Sequence, residues 1–132
     1  IDRVVDALLP LGAKVDARQA RDQWAQRGMF PCLVDSLRVD VFYPDIELYH
    51  RARPRRRQVP FLGTLAWFWS AEDILLFKML YFRGKDRADI ERILEVQRGA
   101  LEAAYVWGWL DEVFGPAEER MQWLAERLER QR

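Results

Sequence analysis

Lys78 is the side chain in this sequence whose surroundings demand the most explanation. It lies in the run from Ile74 to Phe82, whose remaining residues are all apolar or aromatic. In a helix its neighbours are Ile74 and Leu75 one turn back and Tyr81 and Phe82 one turn on. A helix apolar nearly all round is expected at the centre of a core. An ammonium there loses hydration, so it must find an anion, extend its stem to water or give up its proton. It is either paired for structure or held in a dry site to meet an acid or a phosphate.

Three other groups carry chemistry of their own. Asp40 falls inside the strand-like run Leu37 to Tyr43, where aspartate is disfavoured. It shares a face with Arg38, either as a solvated ion pair or as a carboxylate offered from a rigid strand to a divalent metal. Asp86 and Asp89 have the spacing of a helix start, which takes a capping side chain and an acid in its first turn. That role is compatible with a place in a site. Arg51, Arg53, Arg55, Arg56 and Arg57 put five guanidinium groups in seven residues around Pro54. Such a run reads as a solvated loop or as a phosphate grip. No aromatic residue interleaves it. His50 has no evident partner in sequence.

Composition removes several classes of function. One cysteine, Cys32, and one histidine exclude an internal disulfide, a thiolate zinc site and a two-histidine metal site. Any metal would be held mainly by carboxylates, which suits magnesium or manganese. Glycine-rich phosphate loops and nucleophile elbows are missing. Lysine plus arginine and aspartate plus glutamate each total 21, so the net charge is zero. This gives no global electrostatic case for nucleic acid or an anionic membrane. The longest apolar run is short of the roughly 20 residues of a membrane helix, and no signal peptide is visible. The first residue is Ile1 rather than methionine, so the chain is expected to be a fragment, a processed form or a trimmed form of a protein.

The elements that must position these residues follow from periodicity. The 132 residues, half of them hydrophobic, suit one domain. Asp2 to Leu9 reads as a short helix closed by Pro10 and Gly12. Asp16 and Gln19 resemble a capping box opening a helix that ends at Gly28. Met29 to Val34 and Leu37 to Tyr43 alternate as strands around an Asp35-Ser36 turn. Pro44 to Arg53 is a short helix or an irregular arm. Gln58 to Leu62 and Leu65 to Trp69 form a second hairpin around Gly63-Thr64. From Ser70 onward the spacing is helical. Ser70 with Asp73 opens a helix that runs to Arg83 and stops at Gly84. Asp86 opens the next, with Gly99 as a kink. Leu101 to Phe114 and Ala117 to the C-terminus complete the set, the last helix burying Met121, Leu124 and Leu128.

Taken in order, these residues resemble a family. Arg38-Val39-Asp40-Val41-Phe42 is followed by Ser70-Ala71-Glu72-Asp73-Ile74-Leu75-Leu76-Phe77-Lys78, then by Arg83-Gly84-Lys85-Asp86-Arg87-Ala88-Asp89-Ile90. The pattern is similar to that of bacterial minimal-type nucleotidyltransferases, including the abortive-infection (AbiEii-like) toxins. It covers about Leu37 to Leu94. The resemblance implies that Asp40 is the third carboxylate around a metal. It also implies that Lys78, Asp86 and Asp89 line the nucleotide pocket. The family's Gly-Ser turn and paired Asp-x-Asp strand do not occur in these residues.

The expectation is therefore an α+β fold: an antiparallel, partial nucleotidyltransferase-like sheet at about 29–69, then a helical part at 70–132. Together they would make a single domain truncated at its N-terminus. The intact protein is expected to transfer a nucleoside monophosphate from a nucleoside triphosphate to an acceptor, using Mg2+. Asp40, Lys78, Asp86 and Asp89 would be catalytic, and Arg38 and Arg83 would contact substrate. This chain alone is expected to be inactive. The alternative is a non-catalytic module that keeps the fold and binds a protein partner or an antitoxin. A cytoplasmic location follows from the same reading, with no membrane partner.

Overall fold

A computed structural model describes residues 1–44 and 46–129. The fold is α+β, with seven α-helices and two small antiparallel sheets among the described residues. The chain divides into two compact units, Ile1–Asp45 and Ile46–Arg132.

The first unit holds α1 (Asp2–Leu8), β1 (Ala13–Lys14), α2 (Ala17–Arg27), β2 (Met29–Val34) and β3 (Leu37–Phe42). Asp16 caps α2 as its spacing predicts, Oδ1 accepting the Gln19 amide at 2.8 Å. The strands pair antiparallel in the order β1-β2-β3. Asp35 and Ser36 both take left-handed backbone, which suits a two-residue hairpin loop between β2 and β3. Register puts Phe30 opposite Val41 and Cys32 opposite Val39, on the face that packs against Val5, Ala13 and Ala20. Asp40 pairs with Pro31, and Arg38 with Leu33, so both lie on the other face. Asp2 lies in the first turn of α1, and its carboxylate pairs with Arg21 on α2 at 2.6 Å.

The second unit opens with α3 (Glu47–Ala52) and a 3-10 turn over Arg53–Arg55, resolving the arm into helix. Asp45, within that arm, lies outside the described residues. β4 (Arg57–Phe61) and β5 (Thr64–Phe68) form a separate hairpin, so the strands of 29–69 make two sheets and not one. Its turn is Leu62-Gly63, one residue before the expected Gly63-Thr64, because Phe61 pairs with Thr64.

Helices then follow without further strands among the described residues: α4 (Ala71–Tyr81), α5 (Gly84–Gln97), α6 (Ala103–Phe114) and α7 (Glu119–Glu129). Their core joins Leu48, Leu75, Leu76, Met79, Ile90, Leu94, Val106, Leu110 and Leu124. Burying each such side chain is worth about 1.5–3 kcal/mol. α4 is the central helix, with buried residues along Glu72, Asp73, Leu75, Leu76 and Met79. Two boundaries differ from the sequence reading. α4 ends because Phe82, not Gly84, takes the left-handed conformation, at φ 49°. Phe82 is held there by edge-on packing against Trp123, with ring centroids 5.2 Å apart. Gly84 instead begins α5, which places Asp86 in the first turn rather than at the cap. Gly99 does not kink α5, which ends at Gln97 with Arg98 and Gly99 both left-handed beyond it. Met121 and Leu124 face inward on α7 as expected, and Leu128 packs at the margin. Residues 130–132 of that expected helix lie outside the described residues.

Candidate functional site

The turn between α4 and α5 gathers four of the predicted residues, Lys78, Arg83, Asp86 and Asp89. Asp86 is fully buried. Its Oδ2 accepts from the Arg83 amide at 3.0 Å and from Arg83 Nε at 2.6 Å, and its Oδ1 accepts from Arg83 Nη2 at 3.2 Å. Hydrogen bonding from the Arg83 guanidinium outweighs burial and holds the Asp86 carboxyl well below its usual range, at about 2. The backbone amide of Arg83 and the charges of Arg83 and Lys78 act in the same direction. Asp86 therefore stays ionised, in the first turn of a helix whose dipole also favours an anion.

Lys78 reaches the same turn from α4. Its Nζ donates to Asp89 Oδ2 at 2.6 Å and lies 3.6 Å from Asp86 Oδ1. The side chain keeps 30% of its exposure, so of the outcomes open to it the ammonium takes an anion and access to water. The stem runs along the helix and the head emerges beside two carboxylates. Asp89 is half exposed and held by Lys78, whereas Asp86 is fixed by three bonds to Arg83. Arg83, expected to contact a substrate, is engaged by Asp86, with its guanidinium over the Tyr81 ring at 4.9 Å.

This cluster stands at one end of a groove of about 530 Å³ between α4 and α5. Trp69, Ile74, Ile93 and Val96 form its apolar wall, and Lys78, Asp89, Arg92 and Gln97 its polar edge. Trp69, Arg92 and Gln97 were not among the residues singled out from sequence. Helical spacing from Asp89 (Arg92 and Ile93, then Val96 and Gln97) was the available signal.

Asp40 belongs to the first unit. Its Oδ1 accepts from Arg38 Nε at 2.9 Å on the exposed face of β3. Among the described residues no three histidine, cysteine, aspartate or glutamate side chains group so as to hold a metal. A single carboxylate already bearing an arginine is not a metal site by itself.

The Ser-x-Glu-Asp segment has a different use. Asp73 is fully buried. It accepts from Ser70 Oγ at 2.6 Å and from Tyr105 Oη at 2.7 Å, with Arg55 Nε 3.5 Å away. Glu72 accepts the Glu102 amide at 3.1 Å, satisfying the start of α6. Burial pushes the Glu72 carboxyl up. Its own amide, the Glu102 amide, Ser70 and Arg55 together bring it below its usual value.

The arginine run is likewise not a solvated loop. Arg55 ion-pairs with Glu72, Asp73 and Glu102 and lies over Tyr105 at 4.0 Å. Arg51 grips both oxygens of Glu112, at 3.1 and 3.2 Å, and lies over Trp109. Arg56 lies over Trp67 and Trp69. Arg53 and Arg57 remain exposed, as does His50. No helix among the described residues is long and apolar enough to cross a membrane. No family model, curated protein or solved structure matches the chain.

Proposed function

We propose that this chain is the downstream part of a nucleotidyltransferase-type protein, and that its second unit seats nucleotide phosphate beside Lys78. In the intact protein a nucleoside monophosphate would pass from a nucleoside triphosphate to an acceptor. The observation that carries this reading is the Lys78 ammonium at a groove mouth, partly exposed, 2.6 Å from a half-exposed carboxylate. An exposed ammonium is a compact charge suited to phosphate oxygen. Asp86, locked by Arg83, anchors the turn, and Asp89 occupies the ammonium until an anion displaces it. The 132 residues contain no Gly-Ser turn and no Asp-x-Asp pair, so transfer by this chain alone is not expected.

The test is equilibrium binding of ATP and of inorganic triphosphate to the purified chain, with chelator present. Saturable binding that Lys78→Ala weakens at least tenfold supports the reading. Its absence at millimolar ligand, or indifference to Lys78→Ala, overturns it.

A second reading, a non-catalytic interaction module, is favoured by the β4–β5 hairpin. Val59, Phe61, Leu62, Leu65 and Trp67 are all exposed on it, and exposed apolar clusters mark interaction sites. Loss of a partner on Leu65→Asp, with triphosphate binding unchanged, would favour this reading.

A further inference from the structure

The β4–β5 hairpin is a sheet with two unequal edges. Leu62 and Gly63 both take left-handed backbone, at φ 47° and 80°, which makes a two-residue turn that closes on a hydrogen-bonded pair. Phe61 and Thr64 are that pair, so hydrogen-bonded pairs recur at Val59–Ala66 and Arg57–Phe68. The backbone groups of the alternate residues point outward: Gln58 and Pro60 along β4, Leu65 and Trp67 along β5. Pro60 has no N–H, so the β4 edge is blocked where another strand would join it. β5 has no proline, and no charged residue occurs from Gln58 to Trp69. Proline and charge are the devices that keep sheet edges from pairing. β4 carries both, in Pro60 and Arg57, and β5 carries neither. No third strand joins this sheet among the described residues, and a two-stranded hairpin alone is marginal in water.

We propose that β5 pairs antiparallel with β5 of a second copy of this chain, about a two-fold axis through Ala66, to build a four-stranded sheet. The assignment rests on the interaction-module reading of the hairpin and names its partner. The register follows from the strand itself. Centring on Ala66 sets Leu65 opposite Trp67 of the second copy, and the reverse, with all of Thr64–Phe68 paired. Leu65 and Trp67 are the residues whose backbone groups point outward, so these pairs exchange hydrogen bonds. An axis at Leu65 or Trp67 would instead match an outward residue with Gly63 or Trp69, outside β5. The Leu65 and Trp67 side chains, 62% and 58% exposed, meet across the strands as apolar pairs. The Arg56 guanidinium, 5.3 Å over the Trp67 ring, already holds that ring. Ala66 meets its copy at the closely spaced, non-hydrogen-bonded position, where a small side chain fits. The two-fold also separates the arginines, setting Arg57 about 20 Å from its copy, beyond the screening length of ~8 Å at physiological salt. The edge encloses on the order of 400 Å² per copy, against about 800 Å² for a standard interface. Association is therefore weak, with a Kd of roughly 10–100 μM.

Sedimentation equilibrium of the purified chain, from about 5 to 500 μM, measures the pairing as a monomer–dimer equilibrium. Leu65→Pro copies the Pro60 device onto the facing strand, and Leu65→Lys adds the charge that edge strands carry. Each is expected to raise Kd at least tenfold with the circular dichroism spectrum unchanged. Ala66→Cys is expected to give a covalent dimer on mild oxidation, because its position brings the two Cβ atoms near disulfide reach. Cys32 is buried and takes no part. Gln58→Cys, on β4, is expected to stay uncross-linked. A chain still monomeric at about 500 μM overturns the pairing. So does a dimer that both Leu65 variants leave intact, or a cross-link through Gln58→Cys but not Ala66→Cys. The hairpin would then serve a partner of other chemistry, and the interaction-module reading falls separately, if Leu65→Asp releases no partner.

Discussion

The Tyr105 hydroxyl donates to Asp73 Oδ1 at 2.7 Å and joins α6 to α4 across 32 residues. Ser70 Oγ holds the other carboxylate oxygen, and Arg55 closes over the Tyr105 ring. A fully buried carboxylate is tolerable only when donors and a counter-charge surround it. The segment that suggested a catalytic family is thus also the joint that holds the central helix to its neighbours.

Removing Asp73 should therefore cost more than removing any one donor. Asp73→Ala is expected to lower stability by about 3 kcal/mol, since it strands two buried hydroxyls and removes one of the three carboxylates around Arg55. Tyr105→Phe should cost about 1 kcal/mol. Urea unfolding followed by circular dichroism measures both. Equal small losses would mean that water replaces the carboxylate.

The same bond predicts an alkaline limit. Burial first, then the hydrogen bond to Asp73, pushes Tyr105 ionisation up to about 12. The folded value lies above the unfolded value of about 10. Its stabilising contribution is therefore complete below pH 10 and is lost as pH rises from about 10 to 12. A phenolate absorbance titration should show one late tyrosine, and Tyr105→Phe should remove it.

Local signals were legible in the sequence, and long-range ones were not. The Asp16 and Ser70 caps, the Asp35-Ser36 turn and the change from alternation to helical spacing at Ser70 are encoded within a few residues. The end of α4 was hidden because Phe82 takes a backbone shape for which Gly84 is the better sequence candidate. Trp123, 41 positions on, packs edge-on against the ring, and the Arg87 and Arg120 guanidinium groups lie over it. The arginines were misread for the same reason. Among their partners, Glu102, Glu112, Tyr105 and Trp109 lie more than 45 positions away. Lys78 was recognised as needing an anion. Its emergence into a groove depended on where α5 begins.

Those contacts change what the arginine run can do with polyanions. Arg51 is exposed but held by Glu47 and Glu112, and Arg55 is engaged by three carboxylates, so Arg53 and Arg57 are the exposed members without an ion pair among the described residues. Binding to heparin is expected to be weak and to fall steeply with salt. The double substitution Arg53→Ala/Arg57→Ala should abolish it without changing the urea midpoint. Arg55→Ala should instead lower the midpoint, with a loss of stability of about 1–3 kcal/mol. Binding that survives the double substitution would place the anion site elsewhere.

Asp86 and Asp89 face one ammonium, yet they should respond oppositely to substitution. Asp86 is buried and held at about 2 chiefly by Arg83, so its folded value lies below the unfolded value near 3.9. Its contribution is present above pH 4 and is lost as pH falls from about 4 to 2. Because Arg83 is half exposed, that contribution is on the order of 1–2 kcal/mol. Asp86→Asn should remove it and flatten the acid limb of the stability curve. Asp89 is half exposed, and its pair with Lys78 is worth less than about 1 kcal/mol. Asp89→Asn should therefore barely move the urea midpoint. It should, however, release the ammonium, and inorganic triphosphate should bind several-fold more tightly. A structural lysine predicts the reverse: Asp89→Asn would destabilise the α4–α5 turn and leave triphosphate affinity unchanged. Measuring both quantities on the same variant decides whether Lys78 is held for the fold or kept for a ligand.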